Sequence, residues 1–285
     1  MHAFVLQMTS TPNVDENIAF VNQQLELAQT AGQLKVNSLV VLPECFANFG
    51  GRDKSNLAIA ENLGEGQVQS KLARIANQYQ IYLVAGSFPT LPNEGECTGD
   101  SPAKFMATCL VFNPNGHLIA DYQKIHLFDV DVDDNTGSYR ESDSTIPGKN
   151  LVCFDTEWGR VGVAICYDLR FPGLFQALRA KGVDAIVLPS AFTEKTGAAH
   201  WQSLLSARAI ENQIYMIASN QNGVHQNGRE TFGHSMVISP WGEVVTNAKR
   251  ENGLFGTFLD KARIKEIRQN MPVSNHNQFT FVQKA

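Results

Sequence analysis

Apolar residues recur along this chain in two rhythms. Short continuous runs, namely HAFVLQM (His2–Met8), NSLVVL (Asn37–Leu42), IYLVAG (Ile81–Gly86), DAIVL (Asp184–Leu188) and IYMIAS (Ile214–Ser219), have the length and composition of strands covered on both faces. Between them lie stretches whose apolar positions fall three and four residues apart. The clearest follows the cap-like Asn13: Glu16 stands three residues on, Ile18, Val21, Leu25 and Ala28 share a face, and Gly32 closes it. That spacing predicts an amphipathic helix. Further helices are expected over Gly66–Gln78, Phe171–Gly182, Ala199–Asn212 and Asp260–Gln269.

Turn chemistry supplies the remaining connections. Asn113-Pro114-Asn115-Gly116 separates Lys104–Phe112 from His117–Tyr122, a hairpin signal. Two more hairpins are expected, one from Leu151 to Arg160 and one from His234 to Thr246, before a last strand at Gly253–Phe258. The sum is roughly ten to twelve strands and four or five helices, and the hairpins exclude a purely parallel sheet. Mixed α/β sheets covered by helices are the expected outcome. SLVVLPECF and DAIVLPSAF also echo one another, each running apolar strand, proline, short polar residue, aromatic. Two similar halves packed sheet to sheet would account for that. Pro89–Pro102 reads as a loop, and Asp129–Gly148 is polar, acidic and too long for a plain connector.

Composition narrows the classes. A chain of 285 residues, 43% hydrophobic and 18% charged, suits one large domain spanning 1–285, with no linker to divide it. A net charge of −5 argues against nucleic acid or an acidic membrane as partner. MHAFVLQMTS lacks the basic and long apolar regions of a signal peptide, and no apolar run reaches transmembrane length. The five cysteines form no CxxC pair, which fits reduced thiols in a cytoplasm.

Three residue types beside strand ends carry chemistry. In VGVAICYDLRFP, strand periodicity sets Val161, Val163 and Ile165 on one face and Gly162, Ala164 and Cys166 on the other. A thiol at a strand end facing a helix N-terminus is where a lowered thiolate pKa is expected, although an isolated cysteine is more often a core residue. Glu44 ends the buried run NSLVVLPE; a poorly solvated carboxylate there suits a general base, while a lone Glu in a loop is ordinarily a surface group. Lys124 and His126 share a face if the preceding strand continues. A fixed ammonium near the thiol would favour thiolate and stabilise an oxyanion, against the plainer reading of a solvated edge lysine.

Together, in the order Glu, Lys, Cys, these residues resemble the nitrilase (carbon–nitrogen hydrolase) superfamily. The stretches LPECF, YQKIHLF and ICYDLRFP carry the resemblance, and GSYRESDSTIPG, AHWQSLLSARAIENQ and GHSMVISPWGEV extend it over nearly the whole chain. The resemblance implies a four-layer α-β-β-α sandwich, usually dimerised, with no metal or organic cofactor. It implies Cys166 as nucleophile, Glu44 as proton carrier, Lys124 and the Tyr167 N–H as oxyanion donors, and Glu141 as a second carboxylate orienting Lys124. His126 and His234 are then structural.

Arg170, four residues after Cys166, could grip a substrate carboxylate or pair with Asp168. The loop SAFTEKTG (Ser190–Gly197) can line the same pocket. Within the superfamily, ESDSTIPG, SAFTEKTGAAHW and FGHSM are most similar to the deaminated-glutathione amidases, with the omega-amidases as nearest rivals. That likeness implies a small amide substrate bearing a carboxylate, with Arg170, Phe192 and Thr196 at its oxoglutaryl end.

Overall fold

The two rhythms resolve into two six-stranded mixed sheets lying face to face between helices, in a computed structural model that describes residues 1–51, 55–92, 104–132 and 137–279. In the first sheet the strands run in the order Gly253–Phe258, His2–Gln7, Leu39–Val41, Tyr82–Thr90, Met106–Phe112 and Leu118–Gln123. In the second the order is Cys153–Asp155, Arg160–Val163, Ala185–Ser190, Tyr215–Asn220, Met236–Ile238 and Val244–Asn247. Read in those directions both sheets pair antiparallel, parallel, parallel, antiparallel, antiparallel. The helices repeat too. Val14–Thr30 and Pro172–Ala180 join the first parallel pair of each sheet, and Gln67–Tyr79 and Glu194–Asn212 join the second. The echo between SLVVLPECF and DAIVLPSAF falls on the equivalent third strands.

Alternation along each strand builds the layers. Ala3, Val5, Leu39, Val41 and Val84 face the second sheet, whereas Phe4, Leu6, Val40, Leu42 and Leu83 meet Ile18, Val21, Leu25, Leu72 and Ile75 of the covering helices. Both faces are therefore dry, which is why these strands lack polar alternation. The result is the four-layer α-β-β-α sandwich. The first helix starts where the sequence places it: the Asn13 carboxamide oxygen accepts from the N–H groups of Asp15 and Glu16 at 3.0 and 3.3 Å, and its Nδ2 donates to Glu16 at 3.0 Å.

Several expectations are corrected. The described residues form sixteen strands, because two small ribbons join the two sheets: Asp129–Asp131 with Ser138–Arg140, and Asn222–Val224 with Glu230–Phe232. The first ribbon gives the long acidic stretch a structure that periodicity does not reveal in runs of three residues. The helix expected from Ala199 starts instead at Glu194, because Thr193 caps it by accepting from the Thr196 N–H at 3.3 Å. Thr196 thus lies in a helical first turn, not a loop. The strand expected to run up to Cys166 ends at Val163, and Cys166 opens a short 3₁₀ turn, Cys166–Arg170, with φ +46°. Strand periodicity therefore does not set its direction. The expected loop at Pro89–Pro102 falls largely outside the described residues, as does Cys97.

Candidate active site

Each candidate residue leaves the end of a strand or turn and is fixed there by backbone contacts. Glu44 comes soon after the strand Leu39–Val41. A Cβ on Gly86 would collide with the Pro43 carbonyl, so the neighbouring strand must carry glycine, at φ +45°, where the Glu44 turn presses on it. Gln221 then holds that turn from the other sheet, donating through Nε2 to the Glu44 carbonyl at 3.0 Å and to Ser10 Oγ at 2.7 Å.

Lys124 comes directly after the strand Leu118–Gln123 and is only 2% exposed. Its ammonium donates to Glu44 Oε1 at 2.8 Å and to both oxygens of Glu141 at 3.0 and 2.8 Å. Glu141 begins the 3₁₀ turn after the Asp129–Arg140 ribbon, and its Oε2 accepts the Phe128 N–H at 2.7 Å. The ribbon is thus what delivers the second carboxylate. Burial alone would lower the lysine pKa, but the charges of Glu141 and Glu44 hold it well above its usual value. Burial raises Glu141, with Lys124 acting against that rise.

Cys166, 8% exposed, lies beside the Glu44 carboxylate and the Ala191 N–H, and both act on its thiol. The expected lowering of its pKa is overturned. Burial, then the charge of Glu44, raise it well above the usual thiol value, and Lys124 only partly offsets them. The next long helix starts at Pro172, beyond the 3₁₀ turn, so it does not begin at the sulfur. The resting group is the thiol, beside the Glu44 carboxylate.

The 3₁₀ turn is pinned by Asp168, a carboxylate fully buried at 0% exposure. It accepts from Tyr122 Oη at 2.7 Å, the Ile165 N–H at 2.8 Å and the His126 N–H at 3.2 Å, and lies 2.7 Å from His126 Nδ1. His126 also stacks on Phe171 at 3.7 Å and does not line the cleft. His234 stacks on Phe232 at 4.5 Å and is likewise away from the cleft. With Asp168 committed, Arg170 is left without a carboxylate partner among the described residues. Its guanidinium sits over Phe192 at 5.3 Å and Tyr167 at 5.9 Å, with Nη1 3.2 Å from His200 Nδ1.

All of Glu44, Lys124, Glu141, Cys166, Tyr167, Arg170, Phe192 and Thr196 line one cleft of about 870 Å³. Sequence reasoning missed Asn48, Phe49, Tyr139 and Arg229 on the same wall. Arg229 belongs to the turn of the second small ribbon, and only tertiary packing brings it there. The signal for the others was position: Asn48 and Phe49 follow Glu44 closely, and Tyr139 nearly adjoins Glu141. Cys45 also lines the cleft, but burial pushes it up to about 12 and its sulfur meets the Ser87 hydroxyl at 3.8 Å.

Strand ends of two matched sheets that converge on an acid, a lysine and a thiol define a class of protein, the hydrolases of carbon–nitrogen bonds. The chain belongs to the carbon–nitrogen hydrolase family, whose sequence pattern matches residues 4–269. It is 40% identical over 278 residues to the deaminated glutathione amidase of Yersinia enterocolitica, covering 96% of this chain and 92% of that protein. Human omega-amidase NIT2 is 37% identical over 270 residues, covering 94% and 91%. Among solved structures, Saccharomyces cerevisiae Nit3, of the nitrilase superfamily, superposes with a TM-score of 0.85 at 30% identity, over 98% of this chain and 97% of that one. Among the described residues, no helix is long and apolar enough to cross a membrane.

Proposed function

We propose that the protein hydrolyses deaminated glutathione to 2-oxoglutarate and cysteinylglycine through a thioester on Cys166. The observation that carries the chemistry is the buried contact of Lys124 with Glu44 and Glu141, with the Cys166 thiol beside Glu44. Glu44 takes the thiol proton as sulfur attacks the amide carbonyl. The tetrahedral oxyanion is met by the Lys124 ammonium and the Tyr167 N–H, groups that need no reorganisation as charge develops. Glu44 returns the proton to the departing amine nitrogen, and the C–N bond breaks to leave the thioester. A water then gives its proton to Glu44 and attacks the same carbonyl. Collapse expels the sulfur, which recovers a proton, and releases the carboxylic acid. Glu141, held by Phe128 N–H, keeps the lysine aimed without exchanging protons.

A raised thiol pKa suits this scheme: a preformed thiolate is unnecessary where a base stands beside the thiol to take its proton during attack. The oxoglutaryl carboxylate fits Arg170, whose charge no carboxylate of the described residues answers and whose guanidinium is steadied over Phe192 and Tyr167. Thr196 Oγ1, 2.9 Å from Thr193 Oγ1, adds a hydroxyl to that wall. On the same reading, residues 1–285 are a single domain acting as a cytoplasmic homodimer on a small molecule, with neither nucleic acid nor membrane as partner.

The test is steady-state turnover of deaminated glutathione and 2-oxoglutaramate side by side, detecting 2-oxoglutarate. The expected result is a much higher kcat/KM for deaminated glutathione. The reverse ratio would make the protein an omega-amidase, and silence on both would remove the oxo-acid substrate class.

A further inference from the structure

Among the described residues four cations line the cleft, and their partners divide them. Lys124 is held by two carboxylates, and Arg140 pairs with Asp131 at 2.8 Å. Arg170 and Arg229 have no carboxylate partner among the described residues. Arg170 lies on the acyl side of the proposed reaction. Arg229 enters the cleft from a separate element, the second small ribbon, and its surroundings are specific.

Arg229 stands at the end of the turn between the strands Asn222–Val224 and Glu230–Phe232. Its guanidinium is clamped between two rings, 4.9 Å from Phe49 and 4.8 Å from Tyr139. Its Nε–H is buried without a hydrogen-bond partner, and Nη2 makes only a long contact, 3.4 Å, to the Ala191 carbonyl. A half-buried guanidinium whose buried Nε–H is fixed by aromatics and short of acceptors is costly unless a ligand supplies them. One residue before the Phe49 ring, the Asn48 carboxamide oxygen is also buried without a partner, and Asn48 lines the same cleft. An unanswered acceptor alongside an unanswered cation is complementary to an amide N–H followed by a carboxylate.

The location decides which end of the substrate meets them. Glu44 must protonate the departing nitrogen, so the amine leaves along the wall that Glu44 begins. That wall continues through Asn48 and Phe49, and Phe49 is the ring on which Arg229 rests. The contact is close: a Cβ on Gly50 would sit 3.0 Å from the Gln226 N and from His225 Cβ, so loop and turn are packed together. Tyr139, the other ring, lies two residues before Glu141.

We propose that Arg229, with Asn48 on the same wall, is the specificity element for the leaving group, binding the terminal carboxylate of an amine-side peptide. Resting on the proposed function, this explains how one cleft tells deaminated glutathione from 2-oxoglutaramate. Both offer a carboxylate to Arg170, but only the former carries a second on the far side of the scissile amide. A bidentate guanidinium–carboxylate pair is worth about ten-fold or more in kcat/KM, as a charge-assisted hydrogen bond is.

The experiment compares deaminated glutathione with its C-terminal carboxamide, which keeps the shape and loses the charge. Wild-type protein is expected to prefer the acid by about ten-fold or more. Arg229→Gln is expected to collapse that preference toward unity, and Arg229→Lys to retain part of it, since a point charge replaces a fork. Arg170→Ala is expected to weaken both substrates equally. Wild-type protein that turns over acid and carboxamide alike would overturn the inference by itself, whether or not the variants fold. Equal losses on both substrates in Arg229→Gln would overturn it too. Silence on both analogues with 2-oxoglutaramate hydrolysed would instead remove the substrate reading, and this inference with it.

Discussion

Lys124 is the residue at which the charges of the cleft balance. One ammonium answers two carboxylates, each within 3.0 Å, in a place 2% exposed. Removing it leaves Glu44 and Glu141 facing each other in a dry site with no cation between them, where burial already raises Glu141. Lys124→Met therefore removes an oxyanion donor and the charge that holds the Glu44 carboxylate in place. Its kcat is expected to fall by at least about 100-fold, the usual cost of one such donor, with KM changed far less. Near-normal kinetics in that variant would assign Lys124 a structural role. Asp168 acts on a different link of the same chain. Its four contacts keep the turn at Cys166 in a left-handed conformation that an ordinary residue adopts only when its surroundings enforce it.

At the scale of elements, the second small ribbon shows how a three-residue strand pair positions chemistry. His225 anchors its turn. Nδ1 lies 3.1 Å from the Ser10 carbonyl, so it carries the proton, and Nε2 accepts from Thr231 Oγ1 at 2.8 Å. Burial, with the Arg229 charge adding to it, lowers its pKa from the usual 6.5 to about 4. The unfolded chain thus takes up this proton near 6.5 and the folded chain only near 4, so stability is complete above the higher value and declines as pH falls through that window. At about 1.4 kcal/mol per pKa unit the loss is on the order of 3 kcal/mol. The urea midpoint of wild-type protein is expected to drop between those pH values more steeply than that of His225→Gln. Identical slopes would show that the buried imidazole does not govern acid stability.

Elements also differ in how legible they are. The runs NSLVVL and DAIVL announce buried strands because a strand covered on both faces has no polar side to interrupt it. Asn13 and Glu16 announce a helix because capping is local chemistry. The small ribbons are silent in sequence, since three residues give no period to detect. Thr193 is equally hidden as a cap: SAFTEKTG is rich in turn formers, and its helix is amphipathic only further on. At Cys166 a strand pattern continues in the letters after the strand has ended, because Asp168 captures the Ile165 N–H and turns the chain. The pKa of that cysteine is not legible either, as it depends on burial in the assembled cleft and then on a carboxylate brought from the other sheet. Arg229 is the extreme case, a turn residue whose role exists only once Phe49 and Tyr139 close on it.

The whole molecule is a doubled unit. Each half presents the end of its third strand to the same cleft, Glu44 from SLVVLPE and Ala191 after DAIVLPS, both lining it with Cys166. Packing the sheets face to face brings these equivalent ends together without long loops, and turns leaving the neighbouring strands complete the cleft. The echo in the sequence is therefore the trace of the arrangement that makes the site. The central claim about that site is covalent: acyl transfer to Cys166 precedes hydrolysis. The most direct measurement is an acid-quenched single turnover of deaminated glutathione, followed by intact-mass analysis and peptide mapping. A 2-oxoglutaryl thioester on the peptide containing Cys166, formed with release of cysteinylglycine and absent in Cys166→Ala, is the expected result. Release of 2-oxoglutarate by Cys166→Ala, or an acyl group carried on any other residue, would contradict it.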